Sequence, residues 1–282
     1  MFGVWLLILS LVKRFGDAWE SEVNPLVETT NPIFRNFGDS QHPHVLQSAG
    51  SERMTLTGML RRTAILLLLF TASATCSWIG FGSVQRRDNG PAITLALVFL
   101  AFVICSVILV WITVFKKTWS PVTAPVYAVV QGLVVGTISV GTDRRYPGIA
   151  MHAIGLTIAI CVFLLGAYHF GLIRVTESFN KKLMVATGGA TLYYLVSYVL
   201  ALKGGHALNT VTGGVFGIFI SLIIVIIAVM NLASNFDFAV QCAKEDFPKY
   251  MEWYAAFGLL LTLAWLYLET LRLLSKAQQE KS

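Results

Sequence analysis

The chain has 282 residues, 56% hydrophobic and only 13% charged, about half the charged share of a globular protein. Its 21 Lys and Arg against 15 Asp and Glu leave a net charge of +6, but the positives sit in short loops beside apolar runs; that is a membrane pattern and excludes a nucleic-acid-binding domain. Of the four cysteines, Cys76, Cys105 and Cys161 lie inside apolar runs and Cys242 stands alone, which excludes a zinc cluster or a disulfide framework.

Residues 1–60 form a polar, flexible tail with a short apolar start. That start, MFGVWLLILSLV, is too short to span a bilayer comfortably, and Lys13 and Arg14 follow it, the reverse of a signal peptide. Beyond it, Asn24-Pro25 and Asn31-Pro32 punctuate a stretch without hydrophobic periodicity. Seven apolar runs then fill 63–82, 92–115, 122–140, 149–173, 183–202, 211–233 and 251–274. Each approaches the roughly 20 residues that a helix needs to cross hydrocarbon. They are apolar on all sides, whereas a soluble core helix keeps one wet face. The expected fold is all-α: a polytopic membrane protein with seven transmembrane helices in residues 61–276 and a short tail at 277–282.

In the third run Pro121 suits a first turn, while Pro125 is expected to bend or delay the helix. Gly188 and Gly189 in the fifth run, and Gly213, Gly214 and Gly217 in the sixth, are expected to let helices approach closely. Tyr193, Tyr194 and Tyr198 give the fifth helix hydroxyls that need partners. After residue 233 a loop of some 17 residues is expected, from about 234 to 250.

With the amino terminus in the cytoplasm, the inner side carries Arg53, Arg61, Arg62, Lys116, Lys117, Arg174, Lys181, Lys182, Lys244 and Lys249. The outer side then has fewer: Arg86, Arg87, Arg144, Arg145, Lys203, Lys276 and Lys281. The bias favours that orientation. Arg61 and Arg62 read as phosphate anchors for the first helix.

Three acids stand out. Asp237, between Phe236 and Phe238, lies four residues beyond the sixth run, as a helix end or as a half-buried carboxylate at the hydrocarbon boundary. Glu269 lies deep in the last run, three residues before Arg272 on the same face. Glu252 opens that run, where a negative charge favours a helix amino terminus. Gln131 is an uncharged polar group at mid-membrane, expected to hydrogen-bond across helices. His152 and His169 fall at opposite ends of the fourth run and make no metal site. No phosphate-binding loop, Ser-His-Asp set or HExxH occurs, so no enzyme activity and no cofactor are expected.

Several segments together carry a resemblance: SPVTAPVYAVVQGLVVGTIS (120–139), RYPGIAMHA (145–153), RVTESF (174–179), Phe236-Asp237, and EWYAAFGLLLTLAWLYLETLRLLS (252–275). In this order, behind a polar start that includes NPIF (31–34), the chain resembles the Bax inhibitor family of seven-helix membrane proteins, in particular its bacterial branch. The resemblance implies a last helix held centrally by the other six, and a pH-sensitive calcium leak in a bacterial cytoplasmic membrane. It implies a proton-sensitive latch between two acids, with Asp237 matching the first and Glu269, in LYLE, the second. Membrane depth favours a different partner, because Glu269 would lie about 27 Å into a helix starting near Met251, leaving Glu252 closer to Asp237. Transient Ca2+, protons and lipid are the expected partners, with a homo-oligomer or a membrane-protein partner also open. The alternative function is a non-transporting scaffold or regulator of membrane proteases.

Overall fold

The computed structural model describes residues 53–84, 92–169, 176–202, 214–245 and 247–280. Residues 1–52 of the expected tail lie outside these, as do Arg86, Arg87, Arg174, Lys203 and Lys281 among the orienting charges. The described residues hold seven α-helices: α1 (Leu56–Val84), α2 (Ala92–Phe115), α3 (Ser120–Arg145), α4 (Ile149–His169), α5 (Glu177–Leu202), α6 (Gly214–Lys244) and α7 (Tyr250–Gln279). A 3-10 turn, Lys117–Trp119, joins α2 to α3. Helices satisfy every backbone group within the segment, which is what hydrocarbon demands. Among the described residues, five helical stretches are long and apolar enough to cross a membrane: Leu56–Gly80, Ala96–Phe115, Lys117–Arg145, Gly214–Lys244 and Tyr250–Gln279. The apolar stretch of α4, Ile149–Leu164, is shorter.

The last helix forms the centre. α7 packs against α1, α3, α4 and α6, and nearly every side chain from Met251 to Leu271 is buried. The outer helices turn Leu100, Ile104 and Ile108 of α2, and Ile158, Val162 and Phe163 of α4, outward. Apolar groups on the outside are stable only where lipid is the solvent.

Cross-helix contacts fix the directions. Ser120 Oγ donates to Tyr250 O at 3.0 Å, Tyr127 packs edge-on against Phe257 with centroids 5.0 Å apart, and Ser139 hydrogen-bonds Tyr267 Oη at 2.7 Å. These pairs advance together, so α3 runs parallel to α7. Asn235 Nδ2 donates to Gly258 O and Thr262 Oγ1, both at 3.2 Å. Nearer the other end, Lys276 Nζ donates to Gly217 O and Ser221 Oγ at 3.1 and 2.8 Å. α6 is therefore antiparallel to α7.

α1 and α3 make the most extensive helix pair in the bundle. Gly132 and Gly136, four residues apart, form the seam. A Cβ at Gly132 would collide with Ser73 Oγ and the Phe70 carbonyl, and one at Gly136 with the Ala74 carbonyl. Ser77 Oγ bonds both Leu133 O and Thr137 Oγ1 at 2.9 Å. Small residues on both helices bring the backbones close enough for dispersion and hydrogen bonding to hold them.

Three expectations change. α6 does not end near 233; it runs to Lys244, because Ala239 and Cys242 continue its buried face, and α7 starts at Tyr250. α3 already starts at Ser120 and continues through Pro125, so the proline does not delay the helix. The glycines expected to make close contacts include two that do not: a Cβ at Gly189 or Gly214 would meet nothing within 4 Å. Gly214 instead has φ +68°, a left-handed conformation that glycine adopts at no steric cost at the start of α6.

Candidate functional site

Two buried carboxylates mark the two ends of α7. Glu269, 1% exposed, sits toward the carboxyl end. Its oxygens accept hydrogen bonds from Tyr194 Oη of α5 at 2.7 Å and from Trp265 Nε1, one turn earlier, at 3.2 Å. Arg272 Nη1 reaches both oxygens at 3.4 and 3.5 Å. The guanidinium also lies over the Tyr194 ring, 4.4 Å from its centroid. The i, i+3 spacing that puts Glu269 and Arg272 on one face is local, but Tyr194 arrives from another helix. Carboxylate, phenol, indole and guanidinium thus form one connected network inside the bundle. Lys276, one turn beyond Arg272, ties the end of α7 to the first turns of α6.

Glu252, 2% exposed, sits in the first turn of α7. Oε1 accepts from the Thr55 backbone N–H at 3.0 Å and from Thr55 Oγ1 at 3.1 Å, while Oε2 accepts from Arg62 Nε at 2.6 Å. Arg62 was expected at the lipid phosphates; it turns inward instead, with its guanidinium 4.7 Å from the centre of the Trp253 ring. A buried carboxylate outbids a phosphate here because both partners are fixed by packing and little water competes.

Asp237 lies within α6 and is not the end of the helix. It accepts a hydrogen bond from the Gln241 side chain, one turn later. The α6–α7 register sets Asp237 level with Gly258. Along the axis that is about 9 Å from Glu252 and about 16 Å from Glu269 at 1.5 Å per residue. The hydrogen bonds of Glu252 and Glu269 all go to other groups, so no acid-to-acid pair forms. Among the described residues no group of three or more His, Cys, Asp or Glu comes together as a metal-ligand set.

Gln131 departs from expectation. It follows Tyr127 by one turn on the face of α3 that meets α7 and is 2% exposed, yet its Oε1 accepts no hydrogen bond. The stretch of α7 level with it, Leu260 and Leu261, is apolar and offers no donor. A buried amide oxygen without a partner costs about 1–3 kcal/mol. Gln131→Leu is therefore expected to raise the melting temperature in detergent by a few degrees, as thermal unfolding read by intrinsic fluorescence will show.

The sequence singled out the acids but not what holds them. Thr55, Trp265 and Gln241 gave no signal, Trp265 and Gln241 reading as ordinary helix residues, and Arg62 was read as a phosphate anchor and not as the partner of an acid 190 residues away. Gly58 carried the least: a Cβ there would strike the Glu252 carboxylate, a constraint visible only after folding.

No curated protein and no solved structure matches the chain. A protein-family model described as Bax inhibitor 1 like does match, over residues 31–279, which takes in every described helix, both buried carboxylates and Asp237. The central last helix and its buried acids stand within a chain that belongs to the Bax inhibitor 1 like family.

Proposed function

We propose that this protein is a pH-sensitive, calcium-permeable leak path in a membrane, without enzymatic activity, in which all seven helices span the bilayer. The observation that carries the reading is Glu269, a carboxylate inside the bundle on the central helix, held by donors from two helices. Ionisable groups at such depth are costly and mark ion or proton pathways by default. Carboxylate oxygens suit calcium, a hard cation, and an acid that stands apart from the others gives a weak, permissive contact suited to passage. Protonation would weaken the hold of Glu269 on Arg272 and loosen α7 from α5, whereas the paired network keeps α7 seated. Asp237 is the second titratable group of the path, and Gln131 offers an uncoordinated oxygen to a hydrated ion at mid-bundle. We read the chain as a resident of a bacterial cytoplasmic membrane. The end of the bundle with Arg61, Lys116, Lys117, Lys181, Lys182, Lys244 and Lys249 would face the cytoplasm.

The test is calcium uptake into liposomes holding the purified protein, scanned between about pH 5 and 8. A single titrating group changes flux by up to about tenfold per pH unit. Glu269→Gln should flatten that dependence to under about twofold across the same range, because an amide keeps the size but cannot titrate. Asp237→Asn should alter its shape. Flux no greater than in empty liposomes at every pH would overturn the reading and leave a non-transporting scaffold or protease regulator as the better one.

A further inference from the structure

We infer that Glu252, Arg62 and Thr55 form a clasp that positions the amino end of the central helix and so controls its movement separately from the Glu269 network. The inference rests on the leak reading only for its effect on flux; the clasp itself rests on geometry.

Thr55 immediately precedes α1, and its hydroxyl accepts the Gly58 N–H at 3.0 Å, the arrangement of a helix N-cap. The same hydroxyl donates to Glu252, and the Thr55 N–H joins it on the same oxygen. Glu252 lies in the first turn of α7, so the amino ends of two parallel helices converge on one carboxylate. Helix amino termini carry partial positive charge and exposed N–H groups, and an anion between two of them is attracted to both. Arg62, two turns into α1, closes the other side of the carboxylate. The fit has no slack at Gly58, where any side chain would displace the carboxylate.

The backbone beside this cluster is stitched as well. Met54 N donates to Phe247 O at 2.7 Å, and Arg53 pairs with Pro248 in an isolated antiparallel bridge. The strap entering α1 is thus bonded to the strap entering α7. At the same end Tyr250 O of α7 accepts the Ser120 hydroxyl of α3. Glu252 lies seventeen residues, about 25 Å, from Glu269 along α7. The two ends of the helix are held by separate networks with no shared residue, so each end can be released alone. Glu252 is a positioning residue in this scheme.

The experiment uses the full chain in liposomes, with the four native cysteines replaced by alanine and one reporter cysteine at Ala255, a buried position one turn beyond Glu252. A membrane-impermeant maleimide reads how often that turn opens to water, and calcium uptake at constant pH is read in parallel. Glu252→Gln should speed labelling of the reporter about tenfold or more and raise flux. A disulfide between Arg53→Cys and Pro248→Cys, in the Glu252→Gln background, should restore slow labelling of position 255, read by peptide mass spectrometry so that the cross-linking thiols are not counted, until the disulfide is reduced and the reductant removed. Because a disulfide closing so long a loop also stabilises the fold as a whole, a second reporter cysteine at Leu271, buried at the other end of α7, is the control: Glu252→Gln should leave its labelling unchanged, whereas a general loss of stability would speed labelling at both positions. Unchanged labelling in Glu252→Gln, or no recovery on cross-linking, would overturn the clasp. If Glu252→Gln does not fold, Thr55→Ser and Thr55→Val decide by the same readings: Thr55→Ser keeps the hydroxyl that caps α1 and bonds Glu252 and should label slowly, whereas Thr55→Val loses both bonds and should label fast. If the parent carries no calcium, the leak reading fails, while labelling and its reversal by the cross-link still decide the clasp.

Discussion

Gly136→Val is expected to cost at least about 3 kcal/mol and to remove most of the folded protein from the membrane fraction, because the added atoms must enter the space held by the Ala74 carbonyl. A side-chain obstacle can rotate away, but a backbone carbonyl inside α1 cannot, so the two helices would have to separate. Separation would also break the Ser77 bonds to Leu133 and Thr137. Gly155→Ala is the matched control: a Cβ there meets nothing within 4 Å, and the change should stay within about 0.5 kcal/mol. Detergent melting followed by size-exclusion chromatography measures both. Equal stability of the two variants would mean that the seam of α1 and α3 is looser than these contacts require.

Arg272→Met is expected to destabilise by about 3–5 kcal/mol, since it strands the buried Glu269 carboxylate without its cation. Tyr194→Phe removes one donor to the same carboxylate and should cost less, about 1–3 kcal/mol. Tyr193→Phe should cost nothing and, like Gln131→Leu, raise stability slightly, because the Tyr193 hydroxyl is buried without a hydrogen-bond partner. The double change Arg272→Met with Glu269→Gln should recover a large part of the loss, because no charge is then left unpaired. A double-mutant cycle in thermal unfolding extracts that coupling. Additive losses would show that Arg272 acts through its stacking on Tyr194 and not through Glu269.

The helical class was legible because hydrocarbon imposes a length and an all-round apolarity that few other environments produce. Family membership was legible through the ordered segments around Asp237 and Glu269, and the family match over residues 31–279 supports it. The central position of the last helix entered the sequence reading only through that resemblance; nothing in the residues of α7 alone distinguishes inner from outer. Boundaries were legible only where hydropathy and helix coincide. At the end of α6 they part, since Asp237 and Gln241 lower the apolar average while their backbone continues the helix. The glycine reading failed because composition does not say which side of a helix faces a neighbour: Gly132 and Gly136 carry the contact, and Gly189 does not. The partners of Glu252 stayed hidden because they lie 190 and 197 residues away in sequence. Gln131 was expected to find a partner because buried amides nearly always do.

The placement of α7 bears on biosynthesis. It is the last of the seven helices to leave the ribosome, yet it supplies the centre around which the others pack. Until its 30 residues are inserted, Thr55, Arg62, Tyr127 and Ser139 lack the groups that they contact in the finished bundle. The earlier helices would hold the α1–α3 seam but lack the interior that α7 supplies. Assembly then becomes a late, concerted event, and a ribosome stalled before residue 250 would leave a ring of helices exposing its unpaired polar groups to membrane quality control.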